Sequence, residues 1–553
     1  MIAMKLVSLG VLLVYGCTVE GYAIPGELYS SMIHVADLFQ FDAKIAEVLP
    51  YLPSYIPEVK EYDRSHACLF KDTNRLGEGD LLSTSITGNP LHLYSVIKRL
   101  VLYWPAISRS MIVINNTEYN CDDKHPNCEW WSQWSECEKN PTFMLVNCQL
   151  SCGLCGRTGN LLDTLASVRQ FEMMTVLPSL RDLRGAALAL ARLQQMYRIP
   201  IPALAGGRIA NISTCVRLST YDCIRIANES YFEGDYASAW QWYNYAFGAT
   251  LDPDGKGHIR DLMYLVKKQH DETYQQFIPQ YFPRKLSEME QQTPWDTKYS
   301  QLCRGFKLMK PEEESNLKCH ISPRGSPYLI LQPVKYEHLH FDPEMYLFYD
   351  VVSSPEILII QNAAKQYLLR SKMLSPKVPE EWRVSHTAWL NNKTHSSLQN
   401  IATRIAAITG LHVFEGSQDY MAGETLQVLS YGIGGHYRYH HDVFYKCHPE
   451  NQWYEVGKQY DHYPSGDRLA TWMFYLSHVE AGGRTAFPQA GISVAPVKGA
   501  AVFWYSIKKN GYGNQRSEHG GCPVMLGHKW VANKWIRENI NFLRRPCALQ
   551  PEE

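Results

Sequence analysis

The chain predicts a multidomain α plus β fold: a helical amino-terminal half, a helical repeat, then a jelly roll or antiparallel barrel with flanking helices. Three observations carry this expectation. Ala and Leu, strong helix formers, fill residues 185–197 until Pro200 and Pro202 stop them. Alanine and aromatic positions recur on two short helical stretches between Thr220 and Phe247, around a Gly-Asp-Tyr turn. After Pro323 the texture changes to short β-rich segments punctuated by Gly434-Gly435 and Gly482-Gly483. The 553 residues are 45% hydrophobic, enough apolar material for several cores. Lys plus Arg is 54 against 55 for Asp plus Glu. That balance argues against a nucleic-acid binder or a polybasic membrane binder, which need a cationic excess.

From the amino terminus, residues 1–5 make a short basic start and residues 6–15 are apolar. Gly21-Tyr22-Ala23 offers small residues for cleavage before Ile24, so residues 1–23 read as a secretory signal. The apolar run is too short to span a bilayer comfortably, and no membrane span is expected elsewhere. Entry into an oxidising lumen makes disulfides the default for the 14 of 15 cysteines that remain after Cys17 leaves with the signal. Asn115, Asn211, Asn228 and Asn392 sit in glycosylation sequons.

Residues 24–200 predict a helical domain, with Leu91, Leu93, Val96, Ile97 and Leu100 near helical spacing. It is interrupted at 121–155 by Cys121, Cys128, Cys137, Cys148, Cys152 and Cys155. A module this small needs staples. Zinc is the alternative, but a zinc site takes four ligands and prefers a reducing compartment. Residues 205–290 predict a tetratricopeptide-like repeat domain, with further helices over 258–277. Tyr231, Tyr236, Tyr243 and Tyr264 together could line a groove for a polyproline II chain. A linker over 291–325 leads to a catalytic domain over 326–545. There, residues 356–360 predict a strand followed by a helix to 369, and residues 397–409 a helix. Residues 425–430, 469–476 and 500–505 predict strands.

The chemistry concentrates in Tyr431-Gly-Ile-Gly-Gly-His-Tyr-Arg-Tyr-His-His-Asp442. Residues two apart on a strand share a face, so His440 and Asp442 can reach one metal. His519, 77 residues after Asp442, is a candidate for the second imidazole. Two His and one carboxylate form a facial triad suited to non-haem Fe(II), with positions left for an oxo acid and O2. His441 is a rival ligand expected to face the other way, and His436 reads as structural.

This segment resembles the catalytic motif of collagen prolyl 4-hydroxylase α subunits. So do Gly482-Gly-Arg-Thr-Ala-Phe-Pro488, Gly499-Ala-Ala-Val-Phe-Trp-Tyr505 and the run from His519 to Trp535. The resemblance extends to the repeat at 223–247 and the helix at 188–197. It implies a double-stranded β-helix dioxygenase domain that uses Fe(II), 2-oxoglutarate and O2 to hydroxylate peptidyl proline at C4 in X-Pro-Gly repeats. Succinate and CO2 are the coproducts, and L-ascorbate rescues oxidised iron. His440, Asp442 and His519 carry over as ligands, and Lys529 as the cation for the distal 2-oxoglutarate carboxylate. Tyr431 and Thr485 carry over as cosubstrate contacts, and Trp535 as a pocket residue. The resemblance implies protein disulfide isomerase as β subunit, α-subunit self-association through the 24–200 helices, procollagen or cuticle-collagen substrates and the endoplasmic reticulum lumen. It also implies the pairs Cys303–Cys319 and Cys522–Cys547, leaving Cys68, Cys215, Cys223 and Cys447 unassigned.

The sequence departs from that family's pattern at His436, where Gln is usual, at Tyr439-His440-His441, where Pro-His-Phe is usual, and at Gly520-Gly521, where Ala-Ala is usual. No ligand is lost. The cysteine insert resembles the ShK toxin-like module, which implies Cys121–Cys155, Cys128–Cys148 and Cys137–Cys152. Two other readings share parts of this pattern: a related 2-oxoglutarate oxygenase acting on a different secretory-pathway peptide, and a non-catalytic subunit that binds proline-rich chains.

Overall fold

The computed structural model describes residues 29, 34–52, 56–75, 84–116, 122–140, 143–144, 147–148, 150–152, 161–277, 297–372, 380–416, 421–444 and 465–548. The expected signal at 1–23 and Cys121, Cys155 and Cys447 lie outside them. Among the described residues no helix is long and apolar enough to cross a membrane.

The amino-terminal half is helical, as expected. Helices Val35–Val48, Pro57–Arg75, Pro90–Leu102, Trp104–Asn116, Leu161–Met174 and Leu180–Tyr197 share one apolar core. A buried ion pair crosses it: Arg99 donates to both Asp42 oxygens, at 2.8 and 2.5 Å, and Tyr62 donates to the same carboxylate. The Leu180–Tyr197 helix starts on a capping box between Ser179 and Asp182, which satisfies amide donors that a helix start leaves free. Its alanines 186, 187, 189 and 191 are all buried, so neighbouring backbone can approach closely.

Ser219 and Asp222 form another capping box and start the helix Thr220–Phe232. Gly234, at φ 78°, turns the chain into Tyr236–Ala249. One long helix, Pro253–Phe277, follows in place of several short ones. The four tyrosines proposed for a groove separate here. Tyr243 is 2% exposed and donates its hydroxyl to Asn228, so it belongs to the core and offers no face. Tyr231 and Tyr236 are half-buried with ring centroids 5.7 Å apart, and Tyr264 is 68% exposed on the third helix.

Among its described residues the carboxyl-terminal half holds two large antiparallel sheets and a two-stranded pair, Ala481–Gly482 with Val524–Leu526. The larger runs Cys319–Ser322, Val334–Phe341, Glu344–Tyr349, Ala501–Tyr505, Arg468–Tyr475, Lys529–Arg537, Leu426–Tyr431, His386–Leu390 and Leu369–Arg370 in spatial order. The smaller runs Ile492–Val494, Thr485–Phe487, His519–Gly521, His436–His440 and Arg383–Val384. Alternation along the strands sorts side chains by face. Leu429, Tyr431, Met473, Tyr475, Val502, Trp504 and Val531 of the larger sheet share a core with Phe487 and Val494 of the smaller. Val428, Trp472, Phe474, Phe503 and Ala532, at the intervening positions, pack with the helices Ser354–Lys365 and Ser396–Thr409.

Three expectations are corrected. Residues 356–360 are helical, because Ser353 and Glu356 form a capping box and Pro355 occupies the first turn. Their Ile and Leu residues match a buried strand and a buried helix equally well. Cys303 pairs with Cys522, replacing both Cys303–Cys319 and Cys522–Cys547. The helix Thr297–Cys303 packs on the smaller sheet, burying Cys303 beside Cys522, whereas Cys319 sits on an edge strand of the larger sheet. Cys319 and Cys547 are free and exposed, and Cys223 is free and buried. Cys68, left unassigned, pairs with Cys215. Cys128–Cys148 and Cys137–Cys152 form in the small module. Asn211 is exposed between two short strands, whereas Asn228 and Asn392 are half-buried and Asn115 is the penultimate residue of the helix Trp104–Asn116.

Cys303–Cys522 closes 219 residues of chain around the strand that carries His519. Replacing both cysteines with serine is expected to lower unfolding free energy by about 2–5 kcal/mol, read as a lower denaturant midpoint. Peptide mapping that recovers Cys303 linked to Cys319 would overturn the corrected pairing.

Candidate active site

Two neighbouring strands of the smaller sheet bring the three candidate ligands together. His440 ends one strand and pairs in register with His519, which starts the next. Asp442 follows two residues after His440. Donor atoms from these three side chains all lie within 4.8 Å of one another. His440 Nε2 is 4.0 Å from Asp442 Oδ1, and His519 Nε2 is 3.8 Å from Asp442 Oδ2.

The remaining ring nitrogens are already engaged. His440 Nδ1 lies 2.9 Å from the Arg438 carbonyl and His519 Nδ1 lies 3.0 Å from the Ser517 carbonyl. A carbonyl only accepts, so each Nδ1 carries the proton and each Nε2 presents a lone pair to the centre. Burial, reinforced by the neighbouring His519, pushes the His440 pKa down to about 3, so the ring is neutral. Burial opposes charge on Asp442, yet nearby charged groups, Arg468 among them, and the Thr471 hydroxyl hold its pKa below the usual value. That hydroxyl donates to Asp442 Oδ2 at 2.6 Å.

Tyr437 stacks on His440 with centroids 3.7 Å apart, and Trp504 and Phe487 lie 4.6 and 5.6 Å from His519. These rings wall the centre on two sides. His441 turns away, its Nε2 3.9 Å from Glu518, and is not one of the converging three. His436 is buried with Nδ1 3.3 Å from the Gly434 carbonyl, a structural position. Cys68, Asp72 and Cys215 also cluster, but both sulfurs are taken by a disulfide.

The same interior face holds a cation. Lys529 pairs in register with Tyr431 and is 3% exposed. Its Nζ lies 5.5 Å from the Tyr431 ring and 5.9 Å from the Tyr475 ring. Burial alone pushes its pKa down to about 7, and among the described residues no carboxylate pairs with it. Gly483 and Gly521 flank it. A Cβ on Gly521 would lie 3.8 Å from the ammonium, and one on Gly483 would lie 3.4 Å from the lysine stem. Thr485 pairs in register with Gly521 and accepts a 2.9 Å hydrogen bond from Tyr475. Trp535, on the Lys529 face of its strand, pairs in register with Thr471, with Arg468 3.5 Å over its ring.

Sequence reasoning missed Thr471 and Tyr475, which lie four residues apart on the same face of one strand, a period-of-two signal. Three converging neutral or anionic donors with protons pointing outward fit a divalent metal. A buried ammonium with no counterion among the described residues fits a carboxylate ligand, since isolated buried charge is costly.

Comparison with known proteins agrees with this chemistry. Residues 426–537 match the 2OG-Fe(II) oxygenase superfamily, and residues 120–155 match the ShK domain-like family. The chain is 33% identical to prolyl 4-hydroxylase subunit alpha-3 of Bos taurus over 68% of its own length and 77% of the relative's. It is 30% identical to prolyl 4-hydroxylase subunit alpha-1 of Gallus gallus over 95% of its own length and all of the relative's. A crystal structure of a viral collagen prolyl hydroxylase from Paramecium bursaria Chlorella virus-1, in complex with 2OG, is 27% identical; the match covers 35% of this chain and 95% of that one, with a TM-score of 0.27. The chain therefore belongs to the prolyl 4-hydroxylase α-subunit family and is a 2-oxoglutarate-dependent dioxygenase.

Proposed function

We propose that the protein hydroxylates C4 of proline in collagen-like X-Pro-Gly repeats, consuming 2-oxoglutarate and O2 and releasing succinate and CO2. The observation that carries this reading is the convergence of His440, Asp442 and His519 in an interior that also holds Lys529, which has no carboxylate partner among the described residues. His440, Asp442 and His519 would hold Fe(II), which when bound supplies O2 activation coupled to 2-oxoglutarate decarboxylation. Lys529 anchors the distal carboxylate, and Thr485, oriented by Tyr475, offers a hydroxyl beside it. Tyr431 and Trp535 line the same face. Trp504, Phe487 and Tyr437 keep water from the reacting atoms. The two Nδ1–carbonyl contacts fix both imidazoles in the ligating tautomer throughout.

L-ascorbate keeps the iron ferrous in this reading. The helices at 205–290 form the tetratricopeptide-like peptide-binding domain, with Tyr231, Tyr236 and Tyr264 as its accessible aromatic faces. The two sheets are the halves of the jelly roll. The protein works in the endoplasmic reticulum lumen with protein disulfide isomerase as β subunit, and pairs with a second copy through its amino-terminal helices. Procollagen or cuticle collagen is the substrate.

Incubating the protein with iron, 2-oxoglutarate, ascorbate and a Pro-Pro-Gly repeat peptide tests this. Mass spectrometry should find one added oxygen on prolines that precede glycine. 2-Oxoglutarate turnover that leaves those prolines unmodified, while another peptide is oxidised, would overturn the collagen reading.

A further inference from the structure

The helix Leu180–Tyr197 belongs to the amino-terminal half, yet besides Glu381 it touches two loops of the catalytic half. Arg192, 8% exposed, donates from Nη1 to the Gly434 carbonyl at 2.9 Å and from Nη2 to Glu381 at 3.0 Å. Gly434 has φ 65°, and a Cβ there would lie 2.7 Å from the Cβ of Ala189, so this turn lies directly on the helix. Five residues beyond Arg192, Tyr197 donates its hydroxyl to the Pro523 carbonyl at 2.5 Å. A Cβ on Gly482 would lie 2.7 Å from that same hydroxyl.

Those two loops border the proposed cosubstrate site. The turn 432–435 joins Tyr431 to the strand ending at His440. Pro523 follows the strand that starts at His519, and Gly482 adjoins Gly483, which packs on the Lys529 stem. The loops are also joined to each other: Gly434 N donates to the Val524 carbonyl at 2.8 Å, and Val524 N donates to the Gly435 carbonyl at 3.0 Å. The turn thus has Val524 on one side and the helix on the other.

We infer that Arg192 is a positioning residue for 2-oxoglutarate: its bond to the Gly434 carbonyl holds the turn that directly follows Tyr431, the strand partner of Lys529, making the amino-terminal helix part of the cosubstrate site. This rests on the reading of Lys529 and Tyr431 as that site. Without Arg192 the Gly434 carbonyl keeps only its longer 3.3 Å contact with His436 Nδ1, and the turn relaxes away from the helix. Peptide affinity, carried by the 205–290 helices, is untouched by that relaxation.

The test is calorimetric binding of 2-oxoglutarate and of a Pro-Pro-Gly peptide to the full chain loaded with redox-inert Zn(II). Arg192→Ala should weaken 2-oxoglutarate binding about tenfold and leave the peptide Kd within about twofold, by analogy with the loss of an outer partner at a metal site. Arg192→Lys, which keeps a donor for the carbonyl, should recover most of the loss. Glu381→Gln should change neither Kd. An unchanged 2-oxoglutarate Kd in Arg192→Ala, an equal loss for both ligands, or the full effect from Glu381→Gln would overturn the inference. If Arg192→Ala does not fold, the contrast of Arg192→Lys with Arg192→Gln, which is too short to reach, decides by the same criteria. Lys529→Ala run in parallel separates the two levels. If it too leaves 2-oxoglutarate binding intact, the site reading fails; if only the Arg192 variants do, the positioning role fails.

Discussion

His519→Ala is expected to abolish 2-oxoglutarate turnover, by more than the 10- to 100-fold that loss of an outer partner of a metal ligand costs. The centre has three donors, and two do not hold a divalent ion in one geometry. Removing the imidazole also takes away the group that His519 Nε2 presents 3.8 Å from Asp442. The fold should survive. The backbone of Gly520 and Gly521 carries much of the strand pairing, and the lost ring contacts are with Trp504, Phe487 and His440. That cavity costs about 1–3 kcal/mol, which a domain of this size tolerates. Circular dichroism with a turnover assay checks both halves of the expectation. Retained turnover would remove His519 from the ligand set.

Lys529→Ala is expected to raise the 2-oxoglutarate KM by roughly ten- to 150-fold, the loss of one charged hydrogen bond worth about 1.5–3 kcal/mol. The peptide KM should stay near its wild-type value, because Lys529 lies deep between the sheets. An equal rise in both would argue against an anchoring role. The pKa of about 7 adds a pH signature. As pH rises past that value the free enzyme loses its cation, and a dicarboxylate must bring a proton back. Affinity for 2-oxoglutarate should be flat below about pH 7 and fall toward tenfold per unit above it. Stability follows the opposite course. Between pH 7 and the ordinary lysine range only the unfolded chain holds this proton, so the Lys529 contribution makes folding more favourable as pH rises there.

The ligand set was legible because strand chemistry is local. His440 and Asp442 share a face by the period of two, whereas His519 was a candidate 77 residues away whose role, like that of Lys529, came from the family resemblance. Capping boxes were in the sequence too, and the one at Ser353 and Glu356 would have turned the expected strand at 356–360 into the helix that forms. Long-range pairing was not legible. Nothing in the residues around Cys303 states that its helix packs against the smaller sheet, and that packing alone selects Cys522 over Cys319. Tyr243 looked like its neighbours on an aromatic helix, and only its burial and its bond to Asn228 separate core from groove. Arg192 was invisible for the same reason: its acceptor is a backbone carbonyl 242 residues away.

The most direct measurement is an anaerobic titration of the purified protein with Fe(II) and 2-oxoglutarate, following the metal-to-ligand charge-transfer absorption of a chelated oxo acid. One equivalent of iron per chain should develop the band in the wild type. His519→Ala should show no band, and Lys529→Ala should show it only at higher 2-oxoglutarate. A band of full intensity in His519→Ala, or none in the wild type, would contradict a centre built from His440, Asp442 and His519.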